Sequence, residues 1–203
     1  MENHMNTIWQ AAKQAFSIEA DGILSALAHI PEENFMQAVD VLSKAQRIAA
    51  SGCGHSAIAC EHFVHLMCCV ELPARFISPA GAIHGDMGYV QAGDVMLFAS
   101  RGGKTKELLP ILDICRKKGA TVISVTENMD SPLAKGADIV LPMSVTRETD
   151  RYNTQGTTSF AVMNVIFDAL QAALMEKLDY KSEQFAVIHP GGAVGERLNG
   201  TEI

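Results

Sequence analysis

Apolar positions in the first forty residues recur with helical spacing: Ile8, Ala11, Ala12, Ala15 and Phe16, then Ile23, Leu24 and Leu27. Pro31 ends this run, because proline lacks the backbone donor that a helix interior needs. Glu32 and Glu33 then suit the positive end of a second helix, whose apolar face is Met36, Val39, Val41 and Leu42. After Lys44 the rhythm changes to short apolar runs separated by helical segments. The runs 47–51, 74–77, 94–99, 121–125 and 138–142 read as strands. Segments 57–69 and 105–118 read as helices, the latter ended by Gly119. Residues 131–135 form a short helix with Ser131 as N-cap and Pro132 in its first turn, and a long helix covers 157–178.

Strands that are nearly all apolar and alternate with helices predict a parallel sheet covered on both faces. The expected architecture is a single domain over 1–203. N-terminal helices occupy 1–45, and a three-layer α/β/α sandwich with its final helix and C-terminal tail occupies 46–203. No internal repeat, low-complexity stretch or linker interrupts it.

Composition narrows the class. Of 203 residues, 48% are hydrophobic and 19% charged, which excludes a disordered chain. The formal net charge of −7 argues against a duplex nucleic-acid partner. The chain opens Met1-Glu2-Asn3-His4 with no apolar run behind it, so no export signal is expected. No membrane span is expected either, since Asn164, Asp168 and Gln171 interrupt the most apolar late segment. Cys53, Cys60, Cys68, Cys69 and Cys115 are odd in number and unevenly spaced, which reads as reduced thiols of a cytoplasmic protein.

Glycines cluster just after predicted strands. Gly52-Cys53-Gly54-His55-Ser56 follows the first strand, and Ser100-Arg101-Gly102-Gly103-Lys104-Thr105 follows the third. A glycine-rich turn into a helix exposes N–H groups and the positive helix end, an arrangement suited to phosphate. In open α/β sheets, ligands bind outside the carboxyl ends of the strands, where strand order reverses. The hydroxyls of Ser56, Ser100 and Thr105 add donors. Neither loop is a nucleotide-binding P-loop, and the third glycine of a dinucleotide fingerprint is replaced by Ala57, so NAD is disfavoured. No metal is expected at His62, His65, Cys60 and Cys69, whose helical spacing does not converge on one centre.

Read with other segments, these loops resemble the sugar isomerase (SIS) domain, and more narrowly the isomerase domain of arabinose-5-phosphate isomerases. The match begins near Lys44 and runs to the C-terminus. Its clearest pieces are the two loops, His84-Gly85-Asp86-Met87-Gly88, Glu148 with Asn153, and Thr157-Thr158-Ser159. The tail His189-Pro190-Gly191-Gly192-Ala193-Val194-Gly195-Glu196-Arg197-Leu198 is the most specific. Many family members continue into two CBS domains, and none is expected here. The resemblance implies a five-stranded parallel sheet in flavodoxin-like order and a homotetramer with sites shared between subunits. It also implies cofactor-free interconversion of an aldose phosphate and a ketose phosphate.

That chemistry moves a carbon-bound proton between neighbouring carbons through an enediol. It needs a base, a group that serves the oxygens, and an acid–base group for ring opening. The resemblance places Glu148 as the proton-transfer base, flanked in sequence by Arg147 and Arg151. It places His189 as the acid–base group and His84 as a second oxygen-directed group, with the two histidine roles interchangeable. Gly54, His55, Ser56, Ser100, Gly102, Gly103, Lys104, Thr105, Thr157 and Thr158 then bind substrate. Three positions depart from the family pattern: His55 stands where lysine is usual, Gly102 where serine is usual, and Lys104 where glutamate is usual. Three functions therefore stay open: a phosphosugar isomerase, a non-catalytic sugar-phosphate sensor, and a hexulose-6-phosphate isomerase.

Overall fold

The structure is a computed structural model and describes residues 2–200. Five strands make one sheet: β1 (Ile48–Gly52), β2 (Ala74–Phe76), β3 (Val95–Ala99), β4 (Thr121–Thr126) and β5 (Ile139–Pro142). Their order is β2-β1-β3-β4-β5, and every pairing is parallel. The chain moves from β1 outward to β2 and then returns across β1 to β3. The strand order therefore reverses between β1 and β3.

The helices are α1 (Glu2–Ala26), α2 (Glu32–Lys44), α3 (His55–Cys69), α4 (Pro79–Ala82), α5 (Leu109–Lys118), α6 (Pro132–Gly136), α7 (Thr158–Lys177), α8 (Ser182–Ile188) and α9 (Gly192–Asn199). Side-chain alternation along the strands feeds two cores. Ala50, Leu97, Ile123 and Ile139 share one row of the register and join the core under α2, α3 and α7. Ala49, Met96 and Val122 occupy the next row and face the opposite core, with Ile111, Leu112 and Leu133 of α5 and α6. Both faces are thus covered, which is why β3 is apolar at every position, while β1 and β4 set the buried Ser51 and Ser124 among apolar residues.

The long helix α7 is the spine of the first core. Val162, Ile166, Phe167, Leu170 and Leu174 are buried along it. Its length and apolarity would suffice to cross a bilayer, yet here they serve packing against α1, α2 and α3. Where α1 crosses it, the two backbones lie close: a Cβ on Gly22 would sit 2.5 Å from the Thr158 methyl. The outer face of α1 is apolar and open, with Trp9, Phe16 and Leu24 more than half exposed.

Three segments differ from the sequence reading. Helix α3 begins at His55 rather than residue 57. Helix α5 begins at Leu109 rather than residue 105. Pro110 explains the second difference, because a helix started at 105 would place it in the interior and leave a carbonyl without its donor. The tail, for which the sequence reading named no element, folds into α8 and α9.

Candidate functional site

The loops after β1 and β3 lie on either side of the point where strand order reverses. The segment after β5 and the start of α7 meet them there. Together they enclose a hollow of about 260 Å³ lined by Cys53, His55, Ser56, Arg101, Glu148, Thr154, Gly156, Ser159, Phe160 and Met163. A larger open cleft, about 1140 Å³, sits between α2 and α5–α6, around Thr121 and Ile139 at the amino ends of β4 and β5. In an open α/β sheet the carboxyl ends of the strands carry the ligand, so the smaller hollow is the candidate site.

Glu148 is its chemical centre. It is 2% exposed, and each carboxylate oxygen is held. Oε1 accepts from Arg101 Nη1 at 2.6 Å. Oε2 accepts from the Ser159 backbone N–H at 3.1 Å and from the Thr157 hydroxyl at 3.3 Å. The Ser159 N–H belongs to the first turn of α7, where donors lack partners within the helix, so the carboxylate also caps that helix. The Glu148 N–H donates to Asn153 Oδ1 at 2.7 Å. Asn153 adopts φ 57°, which folds the 149–157 loop back over the hollow. The cation beside Glu148 is therefore Arg101 and neither sequence neighbour. Arg147 is exposed, and Arg151 stacks over the Tyr152 ring.

The first loop brings His55 and Ser56 to the wall. His55 stands edge-on to Phe160, with ring centroids 5.9 Å apart. The Ser56 hydroxyl lies 3.7 Å from Met163 Sδ. In the second loop the Ser100 hydroxyl pairs with that of Thr105 at 2.9 Å and accepts from the Gly103 N–H at 3.1 Å. Gly103 has φ +62°, and a Cβ there would come within 2.0 Å of Ser131 Oγ, so no side chain fits. The Gly102 and Lys104 N–H groups make no hydrogen bond among the described residues. Because three residues of turn separate this loop from α5, its free N–H groups act without the axis of a following helix behind them.

Of the remaining residues named from sequence, Thr157 touches Glu148 from α7's cap, but Thr158 does not reach the hollow. Its side chain is sealed beneath α1 at Gly22. His84 is exposed on the turn after α4 and is absent from the hollow. His189 is far away. It follows α8, stacks 4.9 Å from Phe185, and sits where the tail covers Cys69 and Met175 at the carboxyl ends of α3 and α7. The fifteen residues of α3 span roughly 20 Å between that end and His55. Sequence reasoning missed Arg101, Ser159 and Phe160. Arg101 lies inside the second glycine-rich loop, and its one local signal is that of a cation beside glycines, which Lys104 shares.

Residues 41–173 match the SIS domain model. The chain belongs to the SIS family. An SIS-family relative, arabinose 5-phosphate isomerase KdsD of Pseudomonas aeruginosa, is 37% identical over 189 residues, covering 93% of this chain and 58% of the relative. The chain thus spans little more than half the length of that curated protein. A Listeria monocytogenes protein described as a candidate sugar-phosphate isomerase superimposes with a TM-score of 0.89 at 39% identity, over 92% of this chain and 98% of that one. The Escherichia coli CFT073 protein c3406, solved in complex with arabinose 5-phosphate, superimposes with a TM-score of 0.85 at 27% identity, over 91% and 98%.

Proposed function

We propose that this SIS-family chain is a cytoplasmic phosphosugar isomerase that interconverts an aldose phosphate and a ketose phosphate through an enediol, in the manner of arabinose-5-phosphate isomerases. The observation that carries the reading is Glu148: a carboxylate almost wholly withdrawn from solvent, yet bordering the hollow at the reversal of strand order. A purely structural ion pair needs no access to a hollow. The similarity to KdsD of Pseudomonas aeruginosa and to the sugar-phosphate complex from Escherichia coli supports the substrate class.

In this reading the phosphate rests on the second loop, against the free N–H groups of Gly102 and Lys104 and the hydroxyls of Ser100 and Thr105. The Lys104 ammonium, exposed and unpaired among the described residues, adds charge at that end. His55 and Ser56 border the sugar. Glu148 takes the proton from C2 of the aldose, and the electron pair moves into the C1–C2 bond as the C1 oxygen gains a proton. The same carboxyl then returns the proton to C1 as the C2 hydroxyl becomes the carbonyl. No cofactor enters, since the substrate is oxidised at one carbon and reduced at its neighbour.

His189 and His84 serve the sugar oxygens from a neighbouring copy. Within one chain His189 is at the other end of α3, so a shared site in a homotetramer reconciles its role with its position. The open apolar face of α1, with Trp9, Phe16 and Leu24, supports self-association.

A melting screen with pentose, hexose and heptose phosphates, coupled to an assay for the isomeric product, tests the function. Raised melting temperature together with product from the same sugar is the expected result. Stabilisation by a sugar phosphate with no product from any of them would make the chain a sensor and overturn the proposal.

A further inference from the structure

Arg101 reaches three polar partners in three directions. Its Nη1 donates to Glu148 Oε1 at 2.6 Å, its Nε to Glu127 Oε2 at 2.7 Å, and its Nη2 to the Val145 carbonyl at 3.1 Å. Glu127 holds the same strip of chain by its other end, since its Oε1 accepts from the Val145 N–H at 2.9 Å. Val145 is buried, three residues before Glu148. The Arg101 carbonyl is fixed as well, accepting from the Thr126 hydroxyl at 3.0 Å and the Glu127 N–H at 2.9 Å. Arg101 borders the hollow, whereas Glu127 stands behind it and does not.

Two carboxylates thus share one guanidinium, and only one of them faces the hollow. A surface pair of this kind would be free to rotate. Here the planar fork of arginine is anchored on the far side, so the direction of its Nη1–H toward Glu148 is set before any ligand arrives. With Oε2 occupied by Ser159 and Thr157, and one lone pair of Oε1 occupied by Arg101, the remaining lone pair of Oε1 is the one left to act. Lysine at position 101 offers a point charge without this geometry.

We infer that Glu127 and Arg101 are positioning residues for the proton transfer: Glu127 orients Arg101, and Arg101 fixes the Glu148 oxygen that faces the sugar. The inference rests on the reading of Glu148 as the base. Acting through Glu148 separates this role from direct phosphate binding by Arg101, which would change KM rather than kcat.

The test compares Glu127→Gln, Arg101→Lys, Arg101→Met and the double variant Glu127→Gln/Arg101→Met with the wild-type chain. Misplacement of a reacting group by about 1 Å costs on the order of 10²-fold in rate. Arg101→Met should lose about that much in kcat, with KM within about twofold. Arg101→Lys should recover part of it, and Glu127→Gln should lose about tenfold. The double variant should be no slower than Arg101→Met, because Glu127 works only through Arg101. Unchanged kcat in Glu127→Gln, additive losses in the double variant, or losses confined to KM would overturn the inference. A second readout uses no turnover. In protein labelled with carboxyl-13C glutamate, the Glu148 resonance should move in Glu127→Gln, a residue it does not touch. A stationary resonance in a folded Glu127→Gln chain overturns the positioning role. A moving resonance in a chain that turns over no sugar phosphate overturns only the reading of Glu148 as base.

Discussion

Arg101 Nη1 lies 2.6 Å from Glu148 Oε1, deep enough that the carboxyl is 2% exposed while its partner reaches the surface. The pair joins the turn after β3 to the segment after β5, and between them the hollow opens. Glu148→Gln keeps an oxygen for the Ser159 N–H and removes the charge. The melting temperature should shift by only a few degrees, and turnover should fall by at least ~10²-fold, the usual contribution of a positioned base. Steady-state kinetics beside calorimetry separates the two effects.

The approach of α1 to α7 predicts a stability loss with no chemical cause. A valine at position 22 would drive its Cβ into the Thr158 methyl, 2.5 Å away, and both side chains are β-branched and restricted at χ1 in a helix. Gly22→Val should cost about 1–3 kcal/mol, as overpacking does, and urea unfolding measures it.

The 149–157 loop depends on Asp150. Its carboxylate accepts from the N–H groups of Gln155 and Tyr152 at 2.8 Å and of Thr154 at 2.9 Å. These bonds, that of Gln155 foremost, hold the carboxyl below its usual value of 3.8. A depressed carboxyl adds order that is complete above the unfolded value and lost as pH falls through the folded one. Amide exchange at Thr154 and Gln155 should therefore be slower in the wild-type chain than in Asp150→Ala at neutral pH. The difference should vanish below the depressed value. Because Thr154 and Gly156 border the hollow, Asp150→Ala should also raise KM.

The cysteines make a prediction about burial. Cys68 is exposed, while Cys60 and Cys115 are buried. Burial pushes the Cys115 thiol up to about 12 and the Cys60 thiol higher still. Since the thiolate is the reactive form, a disulfide reagent at pH 8 should modify Cys68 within minutes. Cys60 and Cys115 should react only after denaturant is added, as peptide mapping of the labelled chain would show.

The parallel sheet was legible because each strand is a short apolar run set between helical periods, and burial on both faces leaves no other pattern. The start of α5 was not, although Pro110 announced it. The limits of the site were harder to read. Thr158 has a donor's hydroxyl at a helix start, and nothing in its neighbourhood reveals that Gly22 of a distant helix seals it. Glu148 drew attention to Arg147 and Arg151, which are near in sequence but point away. Its actual counter-charge comes from Arg101, brought by the sheet, and Arg101 is in turn held by Glu127 at the end of the neighbouring strand. Long-range pairing of this kind has no local signal.

Isotope exchange bears most directly on whether Glu148 moves a carbon-bound proton. The chain is incubated in deuterated water with arabinose 5-phosphate or ribulose 5-phosphate, and with the other sugar phosphates that raise its melting temperature. Proton and carbon spectra then follow C1 and C2. Deuterium should enter at C2 of the aldose or C1 of the ketose with the wild-type chain and be absent with Glu148→Gln. Deuterium entering equally with both chains, or neither deuterium nor isomeric product with the wild-type chain while the sugar still binds, would contradict the assignment.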